Sequence, residues 1–185
     1  MFWKNFFKDT YLLSKACKDT NQGKKDPSLL TRLFYKGKKI KIFLSNHKIF
    51  NWQDLEFLCH SVGWECPPFK KIQIGIANSF MVVSLFQEVL GTLKLIGFAR
   101  VTSDKVFNAI IWDLAVHPEF QGKGLGKILI YQIIQQLRRE DIITIALFAD
   151  SQVTKFYLKL GFIQDPEDIK GMFFYSNSDE YSSYI

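Results

Sequence analysis

The chain has 185 residues, 48% of them hydrophobic and 23% charged. These are the values of a folded globular domain and exclude a disordered chain or a fibre. No stretch approaches the roughly 20 apolar residues of a bilayer-spanning helix. The formal net charge is +6, but it is unevenly placed. Residues 1–48 carry 12 Lys+Arg against 3 Asp+Glu, and the rest carry 12 against 15. The basic excess thus belongs to the N-terminal quarter, and the body is slightly acidic. We read residues 1–38 as a solvated basic extension and residues 39–185 as the functional domain.

The first predicted strand is Lys39–Ser45, where Ile40, Ile42 and Leu44 alternate with Lys41 and Phe43. Asn51 followed by Asp54 reads as a helix start, and Leu55, Leu58 and Cys59 then recur at helical spacing. Pro67-Pro68 interrupts the chain ahead of a second helix over Phe69–Asn78. Phe80–Phe86 is β-branched and aromatic, as a buried strand would be. Gln87–Thr92 contains Gly91 and predicts a turn. Leu93–Thr102 and Phe107–Val116 follow as a hairpin joined through Ser103-Asp104. Leu125, Ile128, Leu129, Ile133 and Leu137 form a helical stripe ended by Arg138 and Arg139. Ile142–Phe148 reads as a strand, and Ser151–Leu160 as a short helix stopped by Gly161. Phe162–Gln164 and Gly171–Tyr175 are expected as two last strands. The order β-α-α-β-β-β-α-β-α-β-β predicts an α/β fold with a mixed, mostly antiparallel sheet.

Cys17, Cys59 and Cys66 are odd in number and irregularly spaced, so they frame neither a disulfide scaffold nor a zinc site, and no metal is expected. Cys59 reads as a small core residue. The N-terminus lacks an apolar run followed by a small-residue cleavage site and has no Arg before Arg32, which argues against a secretory signal and fits a transit peptide poorly.

The strongest local signal is Gln121-Gly122-Lys123-Gly124-Leu125-Gly126, between a strand and a long helix. Glycines permit a sharp turn that brings amides close to a ligand, a helix N-terminus adds positive partial charge, and Lys123 and Lys127 add full charges. The expected partner is a phosphate or pyrophosphate. A P-loop is excluded, because Ile128 follows Gly126-Lys127 and Gln121 stands where its first glycine belongs. A dinucleotide fingerprint is excluded too, because its third glycine falls on Lys127 or Leu129.

Gln121, Gly124 and Gly126 match the turn Gln/Arg-x-x-Gly-x-Gly/Ala of the GNAT N-acetyltransferases. Val116-His117-Pro118-Glu119-Phe120 resembles that family's lead-in, with His117 where Asp is usual. Phe156-Tyr157-Leu158-Lys159-Leu160-Gly161-Phe162 resembles its second motif. Thr102-Ser103-Asp104, Ile111-Trp112-Asp113, Leu147–Val153 and Asp165–Phe173 are similar to plastid and cyanobacterial members, which include plant serotonin N-acetyltransferases that also acetylate protein lysines. The resemblance covers about Lys39 to Tyr175.

The resemblance implies a GNAT fold whose sheet splays between the fourth and fifth predicted strands, and direct acetyl transfer from acetyl-CoA to a primary amine. Backbone groups of Leu114, Ala115 and Val116 would hold the pantetheine, and Gln121, Gly122, Lys123, Gly124, Leu125, Gly126 and Lys127 the pyrophosphate. Tyr157 would protonate the leaving thiolate. Asp113 and Asp150 are candidate bases or anions for a cationic amine, and Asp150 also matches a common ordering Asn. Trp112 would line an arylamine pocket together with Asp113, but strand alternation puts the two on opposite faces unless the strand is bulged.

The expected acceptor is an arylalkylamine such as serotonin, or a protein lysine. The expected assembly is a monomer or a homodimer. Two other readings stand beside this one. The first is an acetyl-CoA-binding regulatory or interaction protein without turnover. The second is a nucleic-acid module built on Phe2, Trp3, Phe6 and Phe7 among the N-terminal lysines, which no recognised motif accompanies. A chain rich in Phe, Ile, Lys and Asn is typical of AT-rich plastid genomes. Together with the resemblance this predicts a plastid-encoded stromal protein, with a cyanobacterial cytoplasm as the alternative.

Overall fold

In the computed structural model, which describes residues 28–35, 37–48 and 51–173, six strands form one sheet in the order of the chain. They are β1 (Ser28–Tyr35), β2 (Lys38–Ser45), β3 (Met81–Val89), β4 (Thr92–Ser103), β5 (Asn108–Val116) and β6 (Thr144–Leu147). All neighbours pair antiparallel except β5 and β6, which run parallel. The helices are α1 (Trp52–Ser61), α2 (Phe69–Ala77), α3 (Leu125–Arg139) and α4 (Thr154–Leu158). The chain divides into two compact units after Phe148.

In the first unit, helices cover both faces of the sheet. The α3 stripe buries Leu125, Leu129, Ile130, Ile133 and Leu137 against β3, β4 and β5. On the other face, Leu55 and Leu58 of α1 and Ile76 of α2 join Val82, Phe86, Leu95, Phe98 and Ala115 in one cluster. This double cover explains why Met81–Phe86 is buried without interruption and shows no alternation. The start of α1 is fixed by Asn51, whose side chain accepts from the Gln53 amide at 3.0 Å. Asp54 lies in the first turn, where the helix dipole favours it, and pairs with Lys94 of β4 at 3.3 Å.

The turn between β3 and β4 is only Leu90-Gly91, both with positive φ (51° and 78°), the geometry of a tight hairpin. The strands therefore reach further into Gln87–Thr92 than expected. The next hairpin is tied by Asp104, whose Oδ1 accepts from the amides of Val106, Phe107 and Asn108. Those bonds, Asn108's foremost, pull its carboxyl down to about 2.

Two expectations need correction. The sheet begins at Ser28 and not at Lys39, because β1 pairs with β2 along its whole length. A segment expected within the basic extension is thus an edge strand. Its alternation is broken by a bulge between Leu29 and Thr31, which hides it from a period-two reading. Residues 1–27 lie outside the described residues. The two closing strands are also absent among the described residues. Phe162–Gln164 is not extended in a ladder, and Gly171–Phe173 forms no strand, while Phe174 and Tyr175 lie outside the described residues. The segment between turns instead. Asp165, Glu167 and Asp168 all take positive φ, and Lys170 bridges Asp165 and Asp168 at 3.0 and 2.9 Å.

Candidate active site

Strand β5 is the axis of the site. It pairs with β6 only over Asn108–Ile111 against Thr144–Leu147. Among the described residues, it continues beyond Ile111 to Val116 paired with β4 alone. The sheet therefore opens on that edge, as the splay expected from the resemblance requires. Backbone groups of Leu114, Ala115 and Val116 lie along the open stretch, where an extended ligand can add like a further strand.

At the end of β5 the chain enters the glycine turn. The His117 amide donates to Ile96 O of β4 at 2.8 Å, and the Gln121 side chain donates to Val116 O of β5 at 2.9 Å, so the turn is tied to both strands. Gly122 and Gly124 take φ of 71° and 81°, in the left-handed region that L side chains avoid. Gly124 is the N-cap of α3, and among the described residues no side chain caps that helix. A Cβ built on either glycine would meet nothing within 4 Å. The glycines are thus required by backbone conformation, and the space above them is open. An uncapped helix start beneath an open glycine turn fits a pyrophosphate. Leu125, 1% exposed, anchors the first turn of α3 in the core. The Lys123 ammonium donates to Glu119 O at 2.7 Å and braces the turn. Gly126 and Lys127 complete the first turn of α3. His117 accepts the Glu119 amide on Nδ1 at 3.3 Å and stacks on Phe57 at 5.7 Å.

On the α1–α2 face a cavity of about 400 Å³ lies between the two helices and strands β4 and β5. Its walls are mostly apolar, among them Leu58, Trp64, Ile72, Phe98 and Ala115, and its charged members are Glu65, Lys71, Arg100 and Asp113. Asp113 reaches it through a bulge. Trp112 pairs with Arg100 and Ala115 with Phe98, so two residues of β5 stand against the single Ala99, and Asp113 takes φ 56°. The bulge puts Trp112 and Asp113 on the same face. Arg100 is the register partner of Trp112 and the ion partner of Asp113, with Nε 2.6 Å from Oδ2. Trp112 itself does not line the cavity. Its indole N–H donates to Thr102 Oγ1 at 2.9 Å, and its ring packs on Phe148 at 5.6 Å.

Cys59 also lines the cavity. Burial, and then the neighbouring Cys66 and Asp113, push its thiol up to about 11. Two units above the ordinary value leave about a hundredfold less thiolate. Cys59 is expected to resist iodoacetamide at mildly alkaline pH in the folded protein and to react readily once unfolded, as mass spectrometry of the two states would show. Rapid labelling of the native state would contradict this.

In the second unit, Asp150 O accepts from the Val153 and Thr154 amides and from Thr154 Oγ1, fixing the start of α4. Tyr157 lies on α4 between the rings of Phe156 and Phe162, with centroids 5.0 and 5.8 Å away. Burial first, and the Asp150 charge second, raise its phenol above the usual value. Gly161, at φ 88°, ends the helix region.

Sequence reading missed Arg100 and the wall formed by Leu55 and Leu58 of α1, Trp64 of the α1–α2 connection, and Lys71 and Ile72 of α2. No motif marks these residues; they meet only because α1 and α2 fold over β4 and β5. Among the described residues no group of His, Cys, Asp and Glu could hold a metal ion, and no helix is long and apolar enough to cross a membrane.

The profile of the Acetyltransferase (GNAT) family matches residues 47–162. The chain is 52% identical over 177 residues to "Uncharacterized N-acetyltransferase ycf52" of Gracilaria tenuistipitata var. liui, covering 94% of this chain and 97% of the relative. It is 42% identical over 164 residues to "GCN5-related N-acetyltransferase 2, chloroplastic" of Arabidopsis thaliana, covering 80% of this chain and 64% of that protein. Among solved structures, a GNAT-family acetyltransferase from Streptococcus pneumoniae superposes with a TM-score of 0.61 at 19% identity, over 74% of this chain and 98% of the other, a likeness of fold alone. The splayed sheet, the glycine turn and these matches together show that the chain belongs to the GNAT family and is an N-acetyltransferase.

Proposed function

We propose that this N-acetyltransferase moves an acetyl group from acetyl-CoA directly to a primary amine, an arylalkylamine such as serotonin or a protein lysine. The observation that carries the reading is the continuous path on β5. Among the described residues, an edge unpaired beyond Ile111 leads straight into an open glycine turn at the uncapped start of α3. The thioester supplies the activated acetyl group. Backbone groups of Leu114, Ala115 and Val116 hold the pantetheine, and an N–H there can stabilise the acetyl oxygen as it gains charge. Amides of Gly122–Lys127, with the Lys127 charge, hold the pyrophosphate, while Gln121 and Lys123 brace the turn. Asp113 presents a carboxylate in the acceptor cavity, and Asp150 orders the start of α4. Tyr157 donates its proton to the leaving sulfur, as the resemblance implies. The chloroplastic relative supports a plastid location.

The apolar cavity walls suit the aromatic body of an arylalkylamine or the aliphatic stem of a lysine. Release of free thiol from acetyl-CoA, measured across arylalkylamines and lysine peptides, separates the two. Turnover is expected with at least one of these groups. Acetyl-CoA binding without thiol release on any amine would overturn the reading and favour a regulatory role.

A further inference from the structure

The cavity holds Asp113 in an unusual way. Its backbone is left-handed at φ 56°, a conformation that a non-glycine residue keeps only where its surroundings impose it. The result is a carboxylate aimed at Arg100, with Nε 2.6 Å from Oδ2. Arg100 is itself held at its far end, where Nη1 lies 3.4 Å from Ser79 Oγ. The Ser79 hydroxyl donates to Gly75 O of α2 at 2.7 Å. The Arg100 side chain is 21% exposed and that of Asp113 45%. An anchored guanidinium therefore spans the cavity wall from the end of α2 to the bulge of β5.

We propose that Arg100 is a positioning residue that cancels the charge of Asp113, so that an acceptor amine can shed its proton in the cavity. This rests on reading the cavity as the acceptor site. The amine attacks only as the free base. A lone carboxylate beside it would bind the ammonium form well and hold its proton, favouring binding at the expense of reaction. Paired with Arg100, Asp113 offers an oriented acceptor oxygen without net charge. The other charged groups lining the cavity, Glu65 from the α1–α2 connection and Lys71 from α2, are opposite in sign, and the Cys59 thiol is neutral. Among the described residues the cavity lining therefore carries no net charge.

The test is the pH dependence of amine acetylation in the full chain, with kcat and KM for the amine measured separately. Arg100→Gln leaves Asp113 uncompensated. It should lower the KM for the amine and lower kcat at neutral pH about tenfold. The rise of kcat should move about one pH unit upward, the low end of the effect of a neighbouring opposite charge, because the site is partly exposed. Asp113→Asn should move the rise downward and increase KM. The double variant Arg100→Gln/Asp113→Asn removes both charges and should return the rise to its wild-type position, as should Arg100→Lys, which keeps the charge. Loss of packing alone would not shift the two single variants in opposite directions. If the wild type acetylates amines but the rise does not move, or the double variant does not restore it, this inference is wrong and the proposed function stands. If the wild type acetylates no amine, both are wrong.

Discussion

Tyr157→Phe is expected to lower kcat by about 10² or more, the usual scale for removing a general acid, with little change in the KM for acetyl-CoA. As the new N–C bond forms and the C–S bond breaks, the sulfur leaves as a thiolate that needs a proton. The Phe variant keeps the ring between Phe156 and Phe162 and removes only the hydroxyl. The sign of the phenol's shift suits the role. Burial and the Asp150 charge both disfavour the phenolate, so the group stays protonated to above its ordinary value of about 10. Activity should therefore show no alkaline decline traceable to Tyr157 below that pH. A stopped-flow or steady-state thiol assay across pH checks both points. Full turnover by the variant over the whole range would remove Tyr157 from the mechanism.

Gly124→Val should act on the other substrate. At φ 81° a β-branched residue is strained, although its Cβ would meet nothing within 4 Å. The cost is about 1–2 kcal/mol. The turn can escape it by leaving the conformation that opens the start of α3. If the turn relaxes in that way, the KM for acetyl-CoA rises roughly five- to thirtyfold. The core should survive, because Leu125 and Leu129 are set by the rest of α3. Calorimetric titration with acetyl-CoA, alongside a melting curve, separates lost binding from lost fold. Unchanged affinity would mean that the turn either keeps its shape despite the strain or does not hold the pyrophosphate.

How far these residues were legible depends on how local their signals are. The α3 stripe, the Asn51 cap and the glycines of the turn express constraints that act within a few residues. A left-handed backbone asks for glycine at Gly122 and Gly124, and an amphipathic helix asks for apolar residues three and four apart. Edge strand β1 failed the same test, because what makes it a strand is β2 and not its own bulged pattern. The expected strand Phe162–Gln164 failed in reverse. Its short run resembles a strand, but the chain turns directly after it, with three positive-φ acidic residues and the Lys170 bridges.

The site divides along the same line. By itself the sequence determined the family motifs, the element order through the middle of the chain, and the glycine turn. It also showed that the basic excess behind the net charge of +6 lies in the N-terminal quarter. Only the tertiary structure decided that Asp113 shares a face with Trp112, since a bulge is a property of two paired strands. Only the tertiary structure joined Arg100 to Asp113, 13 residues apart in the chain, and roofed them with α1 and α2. Charge pairing and cavity walls depend on distances of a few ångströms between segments remote in sequence, and no local periodicity encodes those.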